Sequence, residues 1–519
     1  MTQNKRIFWN IVATYGRSLY SLVIALCCCG WSYRILGEVD FGLMGLIVGL
    51  PQFFEFFNGL ISSSLTRYFA FSVGQNEKSG GADLEEVRKW FNVALSVHTI
   101  IPTTLMVLGI PVGIWVVKCF LNIPPDRVDD CLLCFYFSCV TSYLGMISIP
   151  FTAMYTAKQY IVELTFYSFF TSTLRVGYLY YMLTHPGKWL VWLVGIMCLT
   201  TVLTNSIILG RAWFLFPECK VNPKYLFDFS RMRQIVGFMF WKFFGNLGAL
   251  VRGQGVNILV NKLFGPTYNA AVGVASQIAS YSNMLAASMD GAFAPAITNL
   301  AGQGEHEKMM EMTYRMCRLG AFFLFLFAIP VSLEVDNLLL FWLKTPPKYA
   351  ADLALFVLGM FAVEEVTKGV GIAVCAVGRI AKYHVVLGLI NVFSVVVAWM
   401  LAGVFDLGFL SIYIALLGVR VIAVCLGVVI AHQDIGFGIR RWLVQVVIPM
   451  SLLLAVSYGV GWAMRCFVGD GNRLVEFVSV CSVTEVVFLV SSWYGILTTA
   501  ERDVVVGKIR KLKSRFNRR

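Results

Sequence analysis

Charge is scarce in this chain. Lys and Arg number 42 and Asp and Glu 29 among 519 residues, so only 14% of the sequence is charged. Long polar runs are missing too: the longest hydrophilic stretches lie near Gln75–Lys89, Pro217–Gln234 and the last twenty or so residues. A separate water-soluble domain is thereby excluded, and with it a large extramembrane loop able to carry an enzyme site. Histidine occurs five times, at His98, His185, His306, His384 and His432, with no two at metal or triad spacing. No G-x-x-x-x-G-K-[ST] is present, so nucleotide hydrolysis through a P-loop is excluded. Cys131 and Cys134 form a C-x-x-C without a second pair. Most of the 14 cysteines sit in apolar runs, where they serve as small apolar side chains. No catalytic residue, metal ligand or bound cofactor is expected. The formal net charge of +13 is spread over short loops and a tail, the pattern of a topology signal and not of a nucleic-acid surface.

What the chain has is hydrophobic length. Apolar residues make up 58% of it and the mean hydropathy is +0.73. About fourteen runs are long enough to cross a bilayer. The first six lie near 10–36, 41–66, 91–118, 131–157, 164–184 and 190–214. The next six lie near 235–262, 271–299, 316–342, 353–377, 384–404 and 410–431, and a final pair near 443–464 and 474–498. The expectation is an all-α polytopic membrane protein, with two parallel six-helix bundles plus a C-terminal helix pair. Basic residues favour one side by roughly three to one, which puts both termini in the cytoplasm. The basic tail, with Arg510, Lys511, Lys513, Arg518 and Arg519 among its charges, anchors topology and attracts anionic lipid head groups. The expected organisation is a six-helix lobe over 1–216, a cytoplasmic linker over 217–234 and a second six-helix lobe over 235–432. An additional helix pair over 433–498 and the basic tail over 499–519 complete it.

An internal repeat underlies that division. With a shift of about 228 residues, Gly37 meets Gly265, Gly42 meets Ala270, Gly45 meets Gly273, and Gly74-Gln75 meets Gly302-Gln303. Six spans separate the copies, an even number, so both have the same orientation in the membrane. The repeat is parallel, about an axis along the membrane normal, and a substrate path is expected between the halves.

The leading spans of each half are polar along one face. At 100° per residue, Asn10, Thr14, Arg17, Ser21 and Cys28 share a stripe, as do Lys242, Asn246 and Asn257, with Arg252 on its flank. Gln52, Glu55, Ser63 and Thr66 form a third stripe, and Ser276, Ser280, Asn283 and Asp290 a fourth. Polar faces in repeat-related positions suggest a shared hydrated cavity, since charge inside hydrocarbon is costly. The in-span cations are Arg17, Arg175, Lys242, Arg252, Lys368 and Arg420. Guanidinium forks suit phosphate oxygens, so the cavity would favour an anion, a phosphate or pyrophosphate above all. Arg17, Lys242, Arg252, Arg175, Arg420, Asn246 and Asn257 are therefore the candidate substrate-binding residues. The competing reading is ion pairing: Glu55 or Asp290 could balance an arginine, and Glu364 and Lys368, four apart, could neutralise each other. Asp290, Glu55, Glu364 and Lys368 are the candidate coupling residues, with a proton or sodium gradient as the coupling ion.

The run GQGVNILVNKLFGPTYNAAVGVASQIASYSNM, followed by AFAPAITNLAGQGE, resembles the middle of the polysaccharide-transporter flippases. The opening segment also resembles that family's start, with a basic residue in span one and an LG-x-x-D-[FY]-G turn from Leu36 to Gly42. These are the O-antigen and capsule flippases of the multidrug/oligosaccharidyl-lipid/polysaccharide exporter (MOP) superfamily, and the likeness covers roughly 7–432. It implies two six-span bundles around a cationic cavity. It further implies alternating access that moves a polyprenyl-pyrophosphate-linked oligosaccharide across the bacterial inner membrane. By that resemblance Arg17, Lys242 and Arg252 would meet the pyrophosphate. The implied partners are the lipid-linked oligosaccharide, membrane lipids, and glycan-assembly proteins such as a polymerase. The last two spans depart from a twelve-span plan. The alternatives are a cation-coupled multidrug exporter, a lipid II-type flippase, and a membrane-embedded glycan polymerase or ligase.

Overall fold

The computed structural model describes residues 3–51, 69, 84–158, 160–468, 472–497 and 502–503. Among these there is no strand; the chain is a succession of helices. The first nine are α1 (Gln3–Gly49), α2 (Leu84–Trp115), α3 (Val128–Ile147), α4 (Ile149–Ala157), α5 (Ile161–Thr184), α6 (Leu190–Leu215), α7 (Phe229–Phe264), α8 (Pro266–Gly302) and α9 (His306–Leu333). Then come α10 (Val335–Leu343), α11 (Ala350–Glu365), α12 (Lys368–Val377), α13 (Ile380–Trp399), α14 (Leu410–Ile435), α15 (Ile439–Trp442), α16 (Ile448–Val468) and α17 (Arg473–Gly495). Eight stretches among the described residues are long and apolar enough to cross a membrane, Leu84–Phe120 and Ile439–Val468 among them. The molecule is an all-α polytopic membrane protein.

Two compact units divide it, Met1–Gly273 and Val274–Arg519. That division falls inside α8, whereas the sequence places the lobe boundary in the 217–234 linker. The reason lies in what α7 touches. At its C-terminal end, the Asn261 Oδ1 accepts from the Asn122 backbone N–H at 2.8 Å, and the Lys262 carbonyl accepts from the Asn122 amide at 2.7 Å. The linker itself is fastened to the start of α2. Arg231 bonds Glu86 at 2.6 Å, pairs with Asp228 and lies over the Trp90 ring, while the Asn92 Oδ1 accepts from the Asn222 N–H at 2.7 Å. Asp228 caps α7, and the Arg231 backbone N–H bonding its carboxylate holds that carboxyl below its usual range. The linker is a tied element and not a loose tether.

The turn from Leu36 to Gly42 can be read residue by residue. Gly37 has φ 73° and ψ 178°, a left-handed value that only glycine takes cheaply, and it breaks α1 without ending it. Its repeat partner Gly265 has φ 91° and ψ 177° between α7 and α8, so the paired glycines share one backbone conformation. Asp40 is buried beside Arg127, whose Nη2 lies 3.1 Å from its Oδ2. The Phe41 ring meets Tyr33 edge-on at 5.4 Å across the turn. In the second copy Asn269, the counterpart of Phe41 under the shift, reaches back over its own turn to the Asn257 carbonyl at 2.9 Å.

Gly42 makes the closest backbone approach. A Cβ there would stand 2.1 Å from the Pro266 oxygen and 3.0 Å from the Ala270 nitrogen, and Ala270 is Gly42's own counterpart. Neither atom belongs to a flexible side chain, so the helices must part to admit even a methyl group. We expect Gly42→Ala to destabilise the protein by about 1–3 kcal/mol, the usual cost of overpacking. Gly45→Ala, where a Cβ meets nothing within 4 Å, should be close to neutral. Thermal unfolding of both variants in one detergent checks the pair. Equal stability would remove the close approach from the account.

In the second unit the C-terminal helices are docked on α9. The Phe322 and Phe488 rings stack at 5.3 Å, Tyr458 bonds Ser332, and the Arg465 guanidinium donates to the Leu333 carbonyl at 3.0 Å. Arg465 also bonds Glu476 at 3.2 Å, which ties α16 to α17. The pair 433–498 is thus bonded to α9. The expected span over 353–377 differs as well: it is two helices, α11 and α12, broken at Val366-Thr367. No proline or glycine stands at the break. Thr367 closes it, its N–H and hydroxyl each bonding the Glu364 carbonyl at 3.1 Å, and the Trp442 indole donates to the Val366 carbonyl at 2.7 Å.

Candidate functional site

In the first unit the helices that matter are α1 and α5, which run side by side in the same direction. Tyr20 bonds Thr173 at 2.6 Å and meets Phe169 at 4.5 Å, and about three turns further along α1 Trp31 meets Tyr180 at 6.2 Å. Between these contacts lies Arg175, half-buried and well inside α5. Its guanidinium is near enough to Cys28, Cys29 and Tyr178 to act on all three electrostatically. Its Nε is buried with no hydrogen-bond partner. Among the described residues no carboxylate pairs with it. A guanidinium keeps its charge in any protein setting, so this seam holds a fixed cation with an unused donor. A phosphate-type anion supplies the matching acceptor.

In the second unit charge gathers at the α11–α12 break. Arg420, from α14, places its Nη2 3.2 Å from Glu364 Oε2; the arginine side chain is 11% exposed and the glutamate 42%. Lys368 meets Glu365, not Glu364, at 2.8 Å, with side chains 24% and 3% exposed. This corrects the expected Glu364–Lys368 pair. The four-residue rule needs an unbroken helix, and the break turns Lys368 one position toward Glu365. Arg420, expected at substrate, is likewise engaged by Glu364 from a helix fifty-odd residues away in sequence, although its Nε remains buried without a partner. Glu365 rests on α9: a Cβ at Gly320 would come within 2.8 Å of its Oε2. Two carboxylates and two cations are thus paired off around a broken helix.

The other expected residues are distributed as follows. Arg252 is half-buried on α7, as is Asn257, whose carbonyl accepts from Asn269. Arg17, Lys242 and Asn246, and Asp290, lie on α1, α7 and α8 respectively, with side chains outside the described residues; Glu55 lies outside them altogether. Cys131 and Cys134 are free thiols packed in the core of the first unit with Leu43, Ile47 and Phe135. The sequence reading did not single out Trp442 or assign Glu365 a partner. Neither carries a local signal, because their contacts are made across the fold.

Comparison with known proteins now has a geometry to refer to. Residues 243–404 match the MatE family model. Among curated proteins none matches the chain in sequence. Solved structures do. An inward-facing multidrug resistance MATE family transporter of the MOP superfamily matches with TM-score 0.60 at 14% identity, over 81% of this chain and 94% of that one. The lipid II flippase MurJ, in an inward closed conformation, matches with TM-score 0.59 at 12% identity, over 93% of this chain and 98% of that one. A MOP superfamily transporter from Pyrococcus furiosus, described by the reverse polarity of its binding pocket, matches with TM-score 0.53 at 14% identity, over 82% and 93%. At such identities the likeness establishes the fold. The chain shares the fold of these proteins, and the lipid II flippase is similar to it over nearly its whole length.

Proposed function

We propose that the protein is a flippase for a polyprenyl-pyrophosphate-linked oligosaccharide, the repeat unit of an O-antigen, capsule or exopolysaccharide, in a bacterial inner membrane. The observation that carries this reading is Arg175: a cation well inside α5, Nε buried and without a partner, where an anionic head group would find a donor. The likeness to the lipid II flippase over 93% of this chain is in keeping with it, and the multidrug transporter, at TM-score 0.60 against 0.59, fits the fold as well. What favours a lipid-linked substrate over a cationic drug is the guanidinium itself, a partner for an anion. The physical task is plain: a charged, sugar-bearing head group cannot enter hydrocarbon unaided. A cationic hydrated path, open to one side and then the other, lowers that barrier while the polyprenyl tail stays in lipid. Arg17, Lys242 and Arg252 join Arg175 on the head-group path, and Glu364, Glu365 and Lys368 form the group that couples it to a proton or sodium gradient.

In cells, Arg17→Ala and Arg252→Ala should each abolish surface glycan and leave lipid-linked precursor on the inner leaflet. Wild-type glycan from both, at normal expression, overturns the assignment. Reconstitution in vesicles separates the neighbouring readings: movement of lipid II but of no other lipid-linked oligosaccharide points to a lipid II-type flippase. Drug efflux without either points to a multidrug exporter.

A further inference from the structure

Around α15, ahead of the N-terminal end of α16, the second unit has a cavity of about 690 Å³, lined by His432, Gly438, Ile439, Arg440, Arg441, Val444 and Gln445. Its charge is unbalanced. The nearby acids are already engaged: Glu307 by Arg441 at 3.2 Å, and Asp434 by Lys382 at 3.9 Å, with Arg379 on the Asp434 carbonyl at 2.8 Å. Arg440 is exposed and has no ion pair among the described residues. His432 holds its ring by Nδ1–H donating to the Phe437 carbonyl at 2.8 Å, which leaves Nε2 as an acceptor for a hydroxyl. Arg441 stays in place over the Tyr314 ring at 5.4 Å.

The wall below this basic mouth is apolar and outward-facing. Val444, Ile448, Leu452 and Val456 are all exposed and recur every four residues along the span Ile439–Val468. At 1.5 Å per residue that stripe is about 18 Å long, close to the ~15 Å hydrocarbon depth of one leaflet. A cationic mouth over an apolar stripe of leaflet depth matches one class of molecule. We propose that this corner binds an anionic phospholipid, its phosphate held by Arg440 and Arg441, a head-group hydroxyl donating to His432 Nε2, and an acyl chain lying along Val444 to Val456. Inorganic phosphate would satisfy the mouth but not the stripe. The site rests on the chain being membrane-embedded and is independent of what the protein transports.

Native mass spectrometry of the full chain in a neutral detergent tests this, with phosphatidylglycerol and phosphatidylcholine of identical acyl chains added in turn. Phosphatidylglycerol should be retained preferentially, and Arg440→Gln should lower its occupancy about fivefold, the worth of one interfacial basic residue. Lys308→Gln, the same charge change on α9, should leave it unchanged. Arg440→Glu should deepen the loss. Equal retention of the two lipids, or unchanged occupancy in both Arg440 variants, overturns the site. Displacement of phosphatidylglycerol by an equal concentration of inorganic phosphate overturns the lipid as occupant.

Discussion

Lys368→Met should cost roughly 3–5 kcal/mol of stability, the price of leaving one member of a buried ion pair behind. Burial is unequal across the pair. Glu365, only 3% exposed and packed on Gly320, cannot turn to water when the ammonium at 2.8 Å is removed. Lys368 is 24% exposed and carries a long stem, so it can reach a wetter position if its partner is lost. Glu365→Gln should therefore cost distinctly less than Lys368→Met. The double variant Glu365→Gln/Lys368→Met should recover most of the loss, because replacing both charges removes the desolvation problem with the attraction. Thermal or denaturant unfolding of the three variants in detergent measures this. Additive losses would mean that the two charges are held independently of each other.

How far the sequence could be read depended on whether a feature was local. Gly37 and Gly265 were legible because a left-handed turn demands glycine, and a repeat of the turn repeats the letter. The same holds for Asp40, Phe41 and Gly42, whose spacing within one turn is the motif itself. The helix break at Val366-Thr367 was not legible: neither residue is a breaker, and its carbonyl is satisfied by Trp442, seventy-odd residues later. Once the break is hidden, the partner of Lys368 is misassigned by one residue, and Glu364's pairing with Arg420 is invisible because nothing local points from α11 to α14. The contact of Asn122 with Asn261 was hidden for a related reason. Linker polarity marks where helices end, not what their ends touch across the fold.

Arg175→Gln should show the opposite balance to Lys368→Met: transport lost, stability kept or raised. Both cations sit inside the helical body, yet one meets a carboxylate and the other leaves a buried Nε unbonded. An unpaired in-span guanidinium carries its desolvation cost without an ionic return inside the described fold. Gln fills similar space without the charge, so unfolding should shift to equal or higher temperature, as expected where stability is surrendered for function. A charge-assisted hydrogen bond to a pyrophosphate is worth about 1.5–3 kcal/mol, so flipping of a lipid-linked oligosaccharide in reconstituted vesicles should fall at least about tenfold. Arg175→Lys, which keeps the charge but not the planar fork, should fall between the two. A drop in stability of the size expected for Lys368→Met, with transport reduced only in proportion to folded protein, would make Arg175 a structural partner and take it off the head-group path.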